Sequence, residues 1–138
     1  MLRLTLLFTA LLSFAGLVRA DDAVFIVNPA GADASISAAD ATAILLGNKT
    51  KWDGGGLIKL AVLTQGEAHE KIMHDFLQRS ADQFDKYWKK MVFSGKGMMP
   101  MQAASDADLI AYVAKTPGSV GYVAAASVTG AVKVLPVK

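Results

Sequence analysis

The segment Leu57-Ile58-Lys59-Leu60-Ala61-Val62-Leu63 constrains this chain more than any other. It is apolar at six of seven positions, is preceded by Gly54-Gly55-Gly56 and runs into Thr64-Gln65-Gly66. A strand with one wet face alternates polar and apolar residues; a near-continuous apolar run suits a strand covered on both faces. Layers on both sides of a sheet, with helical patterns between the strands, predict an α/β architecture.

The flanking patterns agree. Ala23–Val27 is a short apolar strand candidate ending at Asn28-Pro29. Ser37 can cap a helix whose stripe is Ala41, Ile44 and Leu45, with Asp40 three residues on to return the bond and Gly47 to end the helix. Residues 48–56 read as a polar turn region around Trp52. A helix begins near Glu67 with His69, Ile72, Met73, Phe76 and Leu77 at helical spacing, and Ser80 with Gln83 restarts the pattern toward Phe84, Trp88, Met91 and Val92. Residues 94–104 read as a loop. Ser105 and Asp108 open a further helix along Leu109, Ile110, Val113 and Ala114, which Thr116-Pro117-Gly118 stops. Residues 120–124 and 131–137 read as closing strands. The order β-α-β-α-α-α-β-β predicts a short mixed sheet with helices on both faces.

The N-terminus carries Arg3, an apolar run from Leu4 to Val18 and Val18-Arg19-Ala20 before Asp21-Asp22. This predicts a cleavable secretory signal over residues 1–20, a single domain over 21–138, a periplasmic location and no stable membrane span after cleavage. The apolar run spans 15 residues, whereas a membrane helix needs roughly 20. The formal charge of +2 vanishes with Arg3 and Arg19, leaving 12 basic and 12 acidic side chains. No basic stripe points to nucleic acid. Without cysteine, disulfides, thiolate metal sites and cysteine nucleophiles are excluded.

Catalytic and metal-binding patterns fare poorly. His69 and His74 are five residues apart, which turns the rings about 140° from each other on a helix, so a shared metal is not expected. One half-buried and one solvated histidine are expected instead. Met98, Met99 and Met101 offer thioethers that suit Cu(I); an apolar loop folded on the core or a partner is the plainer expectation. Gly118-Ser119-Val120-Gly121 leads into a strand and is no nucleophile elbow. The expectation is a non-enzyme without cofactor or metal.

Three segments resemble the solute-binding proteins of phosphate ABC transporters, the PstS type. Ile44-Leu45-Leu46-Gly47-Asn48-Lys49-Thr50-Lys51-Trp52-Asp53 resembles their Phe-Leu-Gly-Lys-x-x-x-Trp segment. Leu57–Gly66 resembles the strand leading to their phosphate loop, and Lys115–Val123 is similar to their Thr-Pro-Gly-x-x-Gly-Tyr-Val. The resemblance implies one lobe of a two-lobed clamp and binding of a small oxyanion such as phosphate. It places Asn28, Thr64, Gln65 and Gly66 near the anion, with Tyr122 at the wall; Trp52, Gly47, Pro117 and Gly118 are expected to be structural. The chain departs from the family's anion loop, roughly Arg-x-Asp-Gly-Ser-Gly-Thr: Leu63-Thr64-Gln65-Gly66-Glu67-Ala68-His69 lacks the arginine and the hydroxyl pair, and sets Glu67 at the helix start. A protein-interaction module that keeps the fold without the ligand, docking on a partner or a second copy, is the alternative.

Overall fold

The structure, a computed structural model, describes residues 22–138; the expected signal segment lies outside the described residues. Five strands form one sheet in the order β3-β2-β4-β1-β5: β1 Ala23–Val27, β2 Lys59–Leu63, β3 Met101–Ala103, β4 Ser119–Ala124 and β5 Lys133–Val134. The helices are α1 Ala38–Leu45, α2 Glu67–Ile72, α3 Ala81–Phe93 and α4 Asp106–Lys115, with α2 running on into a π-helical turn, Met73–Leu77. Strands β2, β3 and β4 are mutually parallel; β1 lies antiparallel between β4 and β5. The expected α/β layering with a mixed sheet is what the chain adopts.

Alternation along β4 assigns the two faces. Tyr122 meets His69 of α2 on one side, and its register partner Phe25 packs edge-on against Phe76 of the π turn. Gly121 faces Leu109 of α4 on the other side, so closely that a Cβ there would sit 2.5 Å from Leu109 Cδ2. The core is therefore two apolar layers, one on each face of Ala61–Leu63 and Val120–Val123.

Capping follows the sequence only in part. Ser80 and Gln83 exchange both bonds of the expected box. Ser37 and Ser105 cap their helices through Asp40 N–H and Asp108 N–H, but the return bonds are not made. The Asp40 carboxylate lies toward Lys49 instead, at 3.8 Å. β2 begins at Lys59, two residues later than expected, because Trp52 N–H donates to Gly56 O and draws Leu57 into an isolated bridge with Lys51. β3 occupies what the sequence reads as loop. Three residues carry no periodicity, and the strand exists through its register with Ala61, Val62 and Leu63. The last strand is two residues, not seven; Val137 bridges back to Ile36.

The start of β4 is fastened by backbone geometry. Gly118 has φ +78°, its N–H donates to Ala30 O, and its carbonyl accepts from both Lys59 N–H and the buried Trp52 Nε1–H, at 3.1 and 3.0 Å. A Cβ at Gly118 would lie 2.7 Å from Leu57 O. The left-handed conformation costs a non-glycine residue about 1 kcal/mol or more, and a rigid backbone clash adds to it. Gly118→Ala is expected to destabilise the fold by roughly 2–4 kcal/mol, read as a lowered urea midpoint at unchanged m-value. A midpoint within error of the parent would refute this account of the turn.

Candidate functional site

In an open α/β sheet, ligands favour the crevice beyond the carboxyl ends of parallel strands. Here that edge collects the turn after β2, Ala104 and Ser105 after β3, and the short 3-10 turn Ala125–Ser127 after β4. Thr64, Gln65, Gly66 and Glu67 are all exposed, so the turn is open and Glu67 does not plug it. Gly66 has φ +102° and serves as the N-cap of α2 without any side-chain cap, and nothing stands within 4 Å of where its Cβ would be. The start of α2 is therefore uncapped, with open space beside Gly66, a setting that suits an anion at a helix start.

The turn's side chains are partly committed to neighbours. Thr64 N–H donates to Ala103 O at 3.0 Å, with its hydroxyl at 3.5 Å from the same oxygen, and Gln65 Nε2 donates to Ala104 O at 3.2 Å. These bonds hold the turn against the end of β3. The charges at this edge are predominantly negative. Glu67 and Glu70 fall in the first turn of α2, and Asp106 and Asp108 in that of α4. Lys71 is engaged with Asp22 at 3.4 Å. The Asp106 carboxylate is used internally, accepting from Ala124 N–H and the Ser127 hydroxyl.

The structure thus brings together Thr64, Gln65 and Gly66 but not the other two expected residues. Asn28 lies at the opposite end of the sheet. β1 is antiparallel, so its end meets the beginning of β4: Asn28 N–H donates to Ser119 O, five strand positions and about 17 Å from Ala124. Its side chain is fully occupied. Nδ2 donates to Val113 O and Ala114 O at 2.8 and 3.0 Å, and Oδ1 accepts from Ala30 N–H at 2.9 Å. Asn28 is a staple between β1 and the end of α4, with no donor left for a solute. Tyr122 is wholly inaccessible, an interior side chain and not the wall of an open groove.

Tyr122 has a different role, one without a local signal in the residues around it. Its hydroxyl is 2.7 Å from His69 Nδ1, and the two rings stack 5.8 Å apart within 9° of parallel. Burial pushes the Tyr122 phenol up, against the weaker downward pull of a backbone hydrogen bond with Leu63. Burial likewise holds the His69 imidazole below its ordinary range, outweighing the nearby Glu70 carboxylate. The phenol keeps its proton beside a neutral imidazole, so the 2.7 Å contact between the Tyr122 hydroxyl and His69 Nδ1 is a hydrogen bond between neutral groups. Where one half-buried and one solvated histidine are expected, His69 is only 3% exposed and the His74 side chain is solvated. The rings do not converge, and among the described residues no cluster of metal-ligating His, Cys, Asp or Glu forms. His69 also walls a cavity of about 80 Å³ with Thr64, Asp85 and Gln102, room for water and too little for a solute of ordinary size.

No family model matches the sequence, and no curated protein matches it. Solved structures do. An ABC-type phosphate transport receptor from Vibrio cholerae superposes with a TM-score of 0.55 at 14% identity, over 82% of this chain and 44% of the receptor. PstS from Borrelia burgdorferi gives 0.57 at 16% identity, over 84% of this chain and 47% of its own. The chain has a periplasmic-binding-protein-like fold. It spans less than half the length of either structure, and the likeness is one of architecture. No helix among the described residues is long and apolar enough to cross a membrane.

The buried histidine has a thermodynamic signature. Its folded-state pKa is below the ordinary 6.5, so below that pH the unfolded chain binds a proton that the folded chain refuses. The stability it permits is complete above pH 6.5 and is lost as pH falls, with a slope of at most about 1.4 kcal/mol per pH unit. Urea unfolding at pH 7.5 and 5.5 should show the midpoint falling in the parent and changing less in His69→Gln. Equal slopes in the two proteins would rule out the buried neutral imidazole.

Proposed function

We propose that this chain acts as a solute-binding lobe in the periplasm, taking a small oxyanion such as phosphate weakly in the turn after β2, for transport or sensing and without catalysis. The observation that carries the reading is the exposed Gly66 turn, a helix start without a side-chain cap and with open space beside it, at the carboxyl ends of three parallel strands. The names of the two matching structures, a phosphate transport receptor and PstS, support the choice of anion.

Weakness follows from the residues present. A hydrogen bond to a charged group contributes about 1.5–3 kcal/mol, and a turn with Glu67 in place of an arginine or hydroxyl donors forgoes more than one. The deficit amounts to roughly 10²–10⁴ in affinity at about 1.4 kcal/mol per tenfold. Glu67 adds repulsion at the helix start, where the dipole would otherwise favour an anion. A clamp also buries its ligand between two surfaces, so a second surface is needed to dry this one.

A second reading draws on the same edge. Glu67, Glu70 and Asp108 leave it acidic, with Lys71 already engaged by Asp22. A module that has exchanged its solute for a protein partner would dock a basic surface here, and a second copy of the chain is one such candidate.

Thermal unfolding in 0–50 mM phosphate, with chloride matched in ionic strength, tests the first reading, since any ligand of the native state raises the Tm. The parent should gain a small increment specific to phosphate, and Glu67→Ser, which removes the charge and restores a hydroxyl, should gain a larger one corresponding to roughly tenfold tighter binding. Identical curves in phosphate and chloride for both proteins would overturn it. A protein that ignores phosphate but forms concentration-dependent dimers weakened by Glu67→Lys would establish the second reading in its place.

A further inference from the structure

A second concavity lies at the other end of β2, about 13 Å along the strand from the Gly66 turn. The ladder between β2 and β4 starts at Lys59↔Ser119, whereas that between β2 and β3 starts only at Ala61↔Met101. Lys59 and Leu60 therefore have no strand on that flank. The α3–β3 loop bows away from them and leaves a groove of about 450 Å³, within the roughly 300–1,000 Å³ of small-ligand sites.

Its surface joins two chemistries. Ile44, Ile58, Leu60 and Tyr112 supply apolar wall, and Met98 and Met99 form an adaptable lip, 89% and 39% exposed. Lys49, Lys59 and Lys96 also line the groove, and among the described residues no carboxylate does. Lys49 is held by Asp53 at 2.7 Å and Asp40 at 3.8 Å, while Lys59 and Lys96 make no ion pair among the described residues. The three ammonium groups disfavour Cu(I), although Met98, Met99 and Met101 all reach this groove.

We propose that this groove binds a free amphipathic anion, a carboxylate on a medium-length aliphatic or aromatic body. The apolar body lies along Ile58, Leu60 and the methionine thioethers, removing that surface from water. The carboxylate takes the unpaired ammonium groups of Lys59 and Lys96 through charge-assisted hydrogen bonds. The flexible, polarizable methionines let the lip close over bodies of differing shape. This site is separate from the Gly66 turn and takes a ligand in which an apolar body is essential.

Calorimetric titration with decanoate below its micelle concentration tests the proposal, with decyltrimethylammonium and phosphate as controls. Saturable one-to-one binding of decanoate is expected, with neither control competing for the groove. Lys59→Ala/Lys96→Ala should weaken decanoate at least tenfold with the circular dichroism spectrum unchanged. Thr64→Ala and Glu67→Ser, which alter the other end of the strand, should leave decanoate binding intact, so the two sites succeed or fail independently. Three outcomes would overturn the proposal: decyltrimethylammonium binding as tightly as decanoate, equal affinity in the double variant, or sedimentation with phosphatidylglycerol vesicles by a protein that does not bind monomeric decanoate.

Discussion

The architecture depends on the carbonyl of Gly118. Two donors from separate segments meet on that one oxygen, the Lys59 amide that opens β2 and the Trp52 indole from the turn before it, while the Gly118 amide reaches back to the segment after β1. Asn28 and the Ser119 hydroxyl bind the last carbonyls of α4 beside it. Three stretches of chain distant in sequence, residues 28–30, 52–59 and 113–119, are thereby fixed at one point with little access to solvent. In such surroundings an orphaned donor costs more than a satisfied one contributes, so the cluster favours one arrangement over near alternatives. A chain without cysteine has no covalent substitute for it.

Fastening one end of the sheet leaves the other end unencumbered. β2 and β4, which start at this cluster, finish at the turn after β2 and at the 3-10 turn, with Ser105 after β3 beside them, where amides and carboxylates meet solvent. The stacked His69–Tyr122 pair stands between, filling the layer beneath α2 with rings that are polar yet mutually satisfied. The Gly66 turn thus lies at the end remote from that cluster, while the lysine groove opens beside the start of β2, on the flank that β3 leaves uncovered.

Much of the fold is legible in the residues, and its limits are informative. The apolar run ending at Leu63 announces a strand covered on both faces, Ser80 with Gln83 announces the start of α3, and Thr116-Pro117-Gly118 announces the end of α4; each is a local signal with a local cause. β3 is illegible because its three residues owe their conformation to β2. Asn28 is placed at the wrong end of the sheet by a reading that knows β1 is a strand but not that it runs antiparallel. Tyr122 looks like a wall residue because its motif sits near a strand terminus, whereas the pleat turns it inward onto a histidine of another element. Thr64, Gln65 and Gly66 are legible as one turn after a strand because they are contiguous. The lysine groove is missed because its wall is gathered from α1, β2, α4 and the loop before β3.

The sheet is flanked by strands of only three and two residues. A long bare margin of amides and carbonyls is a template on which further chains can assemble, and short borders interrupted by lysine deny them that purchase. Lys133 stands in the two-residue border, and Gln102 is the exposed side chain of the other. A small α/β fold that cannot lock itself with sulfur bridges is thus guarded against fibrillar stacking by the brevity of its outermost strands.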